Sequence, residues 1–394
     1  MNNNRKKNKN RYRKTLHQQA YEKLVSMQCF GESKKKAIQS GTEKDKIFSR
    51  STYDTYWKHI KYFLKWLKEN YPDVTTLKAA KRHVSEWLQY RVDQVDGDGR
   101  HLSAWTVQIE EAAVNKLFGI DKNSRDRFQA PRRRRVDIKR SRGSAKQDKD
   151  FSEKNNWELV QFCRGTGCRR NVLERLEGRD LWTQDQMLAE AEQLTARLDL
   201  GEKLSDQELK HLAVLNDALV TWTRAGKLRE IKKIKNRKAL RGFISIEEKQ
   251  RLNDLLKAVE SEPDHKYFIH HRKDKGGRYR MAPIIGPALS DIVDRMRNTD
   301  PHKRVWKTVN AHADVHSYRA DYAGALYRMY ARDIKDIPYD KYHPGIHQWY
   351  QSEVYTCRKD EPGKKMDKRA MKKASKGLGH SRIDVVGIFY IRNI

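Results

Sequence analysis

The sequence predicts a mainly α-helical chain with a small β-sheet or hairpin confined to its second half. Three observations predict this. Apolar residues recur at three- and four-residue steps along most of the chain. One segment, Tyr267-Phe-Ile-His-His, followed by Asp274-Lys-Gly-Gly277 and Arg278-Tyr-Arg-Met-Ala-Pro-Ile, has the form of a β-hairpin with a Gly-rich turn. A basic run with few apolar interruptions separates two helical regions, so the 394 residues divide into domains with separate cores.

The first segment, residues 1–47, is assigned to a basic N-terminal arm. Met1 to Lys14 carries seven Lys or Arg and no acid. It reads equally as an arm along a DNA backbone or as a disordered tail. Residues 48–130 form a helical module. Its first helix starts near Ser51, carries Tyr53, Tyr56, Ile60, Leu64 and Leu67 on one face, and ends before Pro72. Lys58, Lys61, Lys65 and Lys68 take other positions of that helix. A second helix spans Leu77 to Arg91, with Val84, Trp87 and Leu88 inward. After the loop Asp96-Gly-Asp-Gly99, Ser103 caps a third helix carrying Trp105, Ile109 and Leu117.

Residues 131–150 form a basic interdomain linker with Arg132, Arg133, Arg134, Arg135, Lys139 and Arg140 at its start. With Lys58, Lys61 and Lys65 these are the candidate contacts to a phosphate backbone. From Phe151 a second domain runs to Ile394. Helices are expected over Trp157 to Cys163 and Arg169 to Leu176, around the Gly165-Thr-Gly turn. A helical insertion follows at about 182–240, in which Leu188, Ala191, Leu194 and Leu198 share one helix face. Ser205-Asp-Gln-Glu208 has the capping-box pattern before Leu209, Leu212 and Leu219. Ile246 to Val259 is a further helix, and Ser381-Arg-Ile-Asp384 resembles a cap for the last one.

The net charge of +32 sets the partner class. Such an excess repels itself unless a polyanion balances it, and nucleic acid is the commonest one. The four cysteines form no CxxC pair, which argues against a zinc site and for reduced thiols. No apolar run approaches the roughly 18 residues of a membrane span, and the start of the chain has no secretory h-region. The expected setting is therefore cytoplasmic, with no membrane partner.

Six residues in four separated segments can be read as one phosphate site. Arg169 follows the Gly165-Thr-Gly turn, and Lys275 tips the hairpin. His316 and Arg319, three apart, project from one helical face. His380 and Tyr390 bracket the terminal segment. Cleaving a phosphodiester with a side chain needs a nucleophile, charge stabilisation and an acid for the leaving oxygen. A guanidinium fork pairs with two phosphate oxygens at once. A tyrosine forms a covalent phosphoryl intermediate that conserves the bond energy, so no nucleotide, metal or other cofactor is called for.

In this order the segments resemble the tyrosine recombinase (phage integrase) family. Gly165-Thr-Gly-Cys-Arg-Arg-Asn-Val-Leu-Glu-Arg-Leu is similar to its first arginine block, and Lys275-Gly-Gly-Arg-Tyr-Arg-Met-Ala-Pro283 to its lysine hairpin. His316-Ser-Tyr-Arg319 is similar to its HxxR block, and Leu378-Gly-His380 with Tyr390 to its terminal block. The resemblance implies a helical core-binding domain followed by a catalytic domain, the two closing as a C-shaped clamp on double-stranded DNA. It implies that Arg169 and Arg319 clamp the scissile phosphate, that His316 and His380 support it, and that Lys275 is the general acid. Tyr390 would form a 3′-phosphotyrosine, and four protomers would join two recombination sites, with accessory directionality or DNA-bending proteins possible partners. The implied function is a recombinase that integrates or excises a mobile element, in a prokaryotic or phage setting. A type IB-like topoisomerase and a DNA-binding protein without catalysis are the alternatives.

The sequence departs from the family pattern in several ways, among them a longer interval from Arg169 to Lys275 and a short tail after Tyr390. Val172 stands where the family carries an acid three positions after its first arginine, with Asn171 and Glu174 as polar neighbours. Phe389 stands where the nucleophile usually lies, and the tyrosine comes one residue later.

Overall fold

A computed structural model describes residues 14–95, 97, 99, 101–125, 127–133, 150–274, 278–339, 351–357 and 363–391. The chain divides into two compact units, Met1–Asp137 and Ile138–Ile394. Helices dominate both, and among the described residues the five strands all lie in the second.

The first unit holds α1 (Leu16–Ser26), α2 (Lys34–Gln39), α3 (Arg50–Asn70), α4 (Leu77–Ala80), α5 (Val84–Asp93) and α6 (Ala104–Phe118). Ser49 and Ser103 accept the backbone N–H of Thr52 and Thr106, so each long helix starts on a side-chain cap. Ile60, Phe63 and Leu67 of α3 pack with Trp87 and Leu88 of α5 and with Val114 and Leu117 of α6. A buried Glu110 on α6 accepts Arg91 at 2.8 Å.

Three expectations change here. Residues 15–47 are not all arm: Thr15 caps α1, and Ala20, Leu24, Met27 and Ile47 join the same core. The lysines and asparagines around them hide a short apolar stripe that needs the rest of the module to cover it. The helix expected from Leu77 to Arg91 is broken by a tight turn at Lys81–His83. On α6 Leu117 packs as expected, together with Val107, Ala113 and Val114, whereas Trp105 and Ile109 are only half-buried.

The second unit begins with α7 (Trp157–Thr166), α8 (Arg170–Leu173) and β1 (Leu181–Thr183). Four helices then leave the sheet: α9 (Gln184–Asp199), α10 (Asp206–Trp222), α11 (Arg224–Arg241) and α12 (Ile246–Ser261). The capping box at Ser205 and Glu208 is formed. The chain returns through β2 (Tyr267–Asp274) and β3 (Arg278–Pro283). After these come α13 (Leu289–Arg297), α14 (Val315–Tyr330), β4 (Val354–Thr356), β5 (Lys365–Asp367), α15 (Lys368–Leu378) and α16 (Ile383–Phe389).

The order β1-β2-β3 is antiparallel throughout, so the excursion of residues 184–261 starts and ends on neighbouring strands. Strand β1 is too short for alternation to announce it. The sheet separates two cores. Phe268 and Met281 face α10, α14 and α15, whereas Ile269 and Ile284 face α7 and α13. Leu198 of α9 is exposed rather than packed, and α16 has Arg382 as its N-cap residue, with no side-chain cap from Ser381. Among the described residues no helix is long and apolar enough to cross a membrane.

Candidate active site

Two helix ends create the site. Helix α7 stops at Gly167, whose φ of +58° is left-handed, and a side chain there would collide with the Tyr322 ring. Helix α15 stops the same way at Gly379, at φ +69°, where an added Cβ would lie 2.6 Å from Arg280 Nε. The last carbonyls of a helix lack partners within it and carry partial negative charge. Arg319, 2% exposed on α14, donates to the carbonyls of Gly167 and Leu378. Arg280 on β3 donates to the Gly377 carbonyl at 2.5 Å. Helix termini thus stabilise two arginines that burial alone would disfavour. Burial, followed by the charges of Arg280 and Arg169, still pushes Arg319 down to about 10.

Arg169 enters from the first helix end as the N-cap residue of α8. Its guanidinium pairs with Asp274, whose carboxylate also accepts Arg280 at 3.2 Å. Asn171 and Glu174, the polar neighbours offered by the sequence, are exposed and do not fill that role. Asp274 reaches inward because the ladder slips between His271 and Asp274. A regular strand would put those two residues on opposite faces; the irregularity re-aims Asp274 toward Arg280. His271, fully buried, lies with Nδ1 3.4 Å from Arg280 Nη2. Burial first, then Arg280 and Arg319, hold it well below the usual histidine range, so it is neutral there.

Arg170 has a different job from its neighbour. It donates to the carbonyls of Asn310 at 2.8 Å, Ala311 at 3.1 Å and Ala313 at 2.7 Å. This ties down the loop that leads into α14, where Asp314 caps the first turn and His316 stands exposed.

Tyr390 ends α16, 7% exposed. Its ring centre lies 5.2 Å from His316 and 5.2 Å from His380, and 5.8 Å from the Arg319 guanidinium carbon. The neighbouring Tyr390 opposes the downward shift of Arg319. Arg169, His316, Arg319, His380 and Tyr390 are therefore drawn together from the start of α8, from α14, from the end of α15 and from the end of α16. Lys275 lies outside the described residues, although it directly follows Asp274 in the chain.

Arg169 and Arg280 share one carboxylate, Asp274, while Arg319 is held by the helix-end carbonyls of Gly167 and Leu378. With His271 neutral, this leaves excess positive charge beside a phenol, the arrangement an anionic phosphodiester needs. Asp274, Arg280 and His271 were not singled out from sequence. Alternation on β3 does place Arg280 on the same face as Ala282, a buried residue, which is the one signal that pointed to it.

The candidate DNA contacts are more dispersed. Lys58, Lys61 and Lys65 are exposed on α3, and Arg132 and Arg133 are exposed after α6. Arg134, Arg135, Lys139 and Arg140 lie outside the described residues. No group of three or more metal-binding side chains occurs among the described residues. No protein-family model matches the chain, and no curated protein matches it.

Proposed function

We propose that the chain is a site-specific DNA recombinase that works through a 3′-phosphotyrosine, as the integrase of a mobile element. The observation that carries this reading is Tyr390 held between His316 and His380 beside Arg319. The Arg169–Asp274–Arg280 network adds the positive field.

In this reading Arg169 and Arg319 hold the non-bridging oxygens of the scissile phosphate. The Tyr390 oxygen attacks phosphorus and gives up its proton to a neighbouring histidine. The bond from phosphorus to the 5′ oxygen breaks, and that oxygen takes a proton from Lys275. Attack by a 5′-hydroxyl from the partner duplex reverses these steps and reseals the strand. The bond count is unchanged, so no cofactor enters. Two duplexes contain four strands to be cut, which accounts for a homotetramer. The first unit serves as the core-binding domain and the second as the catalytic domain, acting on DNA in a cytoplasmic, nucleoid setting.

The test uses nicked duplexes tiled across the DNA that flanks the gene, with the full chain. A covalent protein–DNA adduct and strand exchange between two such duplexes are expected. Adducts with relaxation of supercoiled plasmid but no exchange would favour a type IB-like topoisomerase. Binding without any adduct would leave a DNA-binding protein that does not cut.

A further inference from the structure

Helix α11 holds nine Lys or Arg and a single acid, Glu230. Two of these cations are ion-paired, and the other seven make no ion pair among the described residues. Lys227 pairs with Glu262, and Arg237 with Glu248 at 3.0 Å, while Glu230 is taken by Arg251 at 3.0 Å. Lys232, Lys235, Lys238 and Arg241 are all exposed and make no ion pair among the described residues. They recur every three residues and so form one row that winds about half-way round the helix between Lys232 and Arg241.

The favourable interaction of cations with a helix C-terminus accounts for Lys238 and Arg241 in the last turn. It does not account for Lys232 and Lys235, which lie earlier. Core packing does not account for them either, since Ile231 and Ile234 supply the buried face. Four unpaired like charges in one row repel each other until an anion arrives. Nine residues at 1.5 Å each place the four charges over roughly 14 Å. One DNA strand presents a phosphate every 3.4 Å or so, about four over that length.

We propose that α11 is a second DNA-binding surface, separate from the Tyr390 site, whose Lys232–Lys235–Lys238–Arg241 row lies along the phosphates of a duplex. This rests on DNA being the chain's partner and adds where the excursion of residues 184–261 meets it. The exposed tip beside the row, with Leu240, Phe243 and Ile246 at 86%, 70% and 84% exposure, is the feature that favours a protein partner instead. Charge decides against a second copy, because each chain carries a net +32 and two such chains repel one another, whereas a duplex is a polyanion.

The experiment compares the full chain with a variant carrying Lys232→Gln, Lys235→Gln, Lys238→Gln and Arg241→Gln. Affinity for a random-sequence duplex of about 30 base pairs is measured against salt, with circular dichroism and thermal melting as folding controls. Each phosphate contact contributes about 0.9 to the salt slope, so the slope should fall by about 3 units and affinity at moderate salt by tenfold or more. An unchanged slope in the fourfold variant overturns the proposal while DNA binding by the parent keeps the recombinase reading open. A fourfold variant whose oligomeric state changes without DNA, by sedimentation, overturns it in favour of a protein interface. A parent that shows no salt-dependent duplex binding overturns both.

Discussion

Two buried clusters in the second unit have the same charge inventory and opposite character. Around Asp274 stand Arg169, Arg280 and Arg319. Around Glu262 stand Lys227 at 3.3 Å, Lys373 at 2.7 Å and Arg369 at 3.0 Å. Each also has a tyrosine and a histidine beside it. In the second cluster all three cations reach the carboxylate. Lys373 also donates to the Thr221 carbonyl at 2.6 Å and lies 4.8 Å from the Tyr330 ring centre. The Tyr330 hydroxyl is paired with His265 at 2.9 Å, and burial pushes its ionisation far up. That cluster braces α15 against the helical excursion. In the first cluster Arg319 is held by helix ends instead of the carboxylate, and His316 opens the group to solvent. A count of charges therefore does not mark a site; where the fixed donors face, and whether an anion can reach them, does.

The largest effects should come from removing either carboxylate. Asp274→Ala and Glu262→Ala each leave buried cations unbalanced, a change that costs about 3–5 kcal/mol when one partner of a buried pair is lost. Urea denaturation reads this. The comparison sharpens when folded variants are assayed for adducts: Asp274→Asn should lose cleavage at temperatures where it stays folded, and Glu262→Gln should retain it. Equal loss in both would mean that the two clusters act as one unit.

A pH effect of intermediate size should be common to both clusters. Burial holds His265 down to about 4 and His271 well below its usual value. The unfolded chain then binds protons that the folded chain refuses, so stability is complete above about pH 7 and falls as pH drops through 6.5 toward 4. Replacing His265 with Gln should flatten that fall, by up to about 1.4 kcal/mol per pH unit at its steepest. Stability that rises on acidification would contradict the burial of both histidines.

The smallest effect tests the rim of the brace. Lys376 and Asp217 pair at 2.6 Å, but both are largely exposed. Lys376→Ala should change stability by less than about 1 kcal/mol, and less still at high salt.

Much of this was legible in the sequence because it follows local rules. Helical periodicity announced α3, α10 and α12, and the glycine-rich turn announced the hairpin. The HxxR spacing placed His316 and Arg319 on one face of α14. What was not legible depends on pairing between distant segments. Asp274 turns inward only because β2 slips against β3, and no residue near Arg169 could reveal that its carboxylate lies over a hundred positions away. Arg280 is one of 84 lysines and arginines in the sequence, and only the fold brings it to the end of α15. Helix α1 was hidden for the opposite reason: its few apolar residues make sense only against the core they complete.

The central claim is that Tyr390, one position past Phe389, is the nucleophile. The direct measurement is to trap the adduct on a nicked duplex, digest the protein, and locate the DNA-bearing peptide by mass spectrometry. A phosphodiester on Tyr390, absent from Tyr390→Phe but formed by a variant altered only at Lys376, is the expected result. An adduct that persists in Tyr390→Phe, or that maps to another residue, would contradict it.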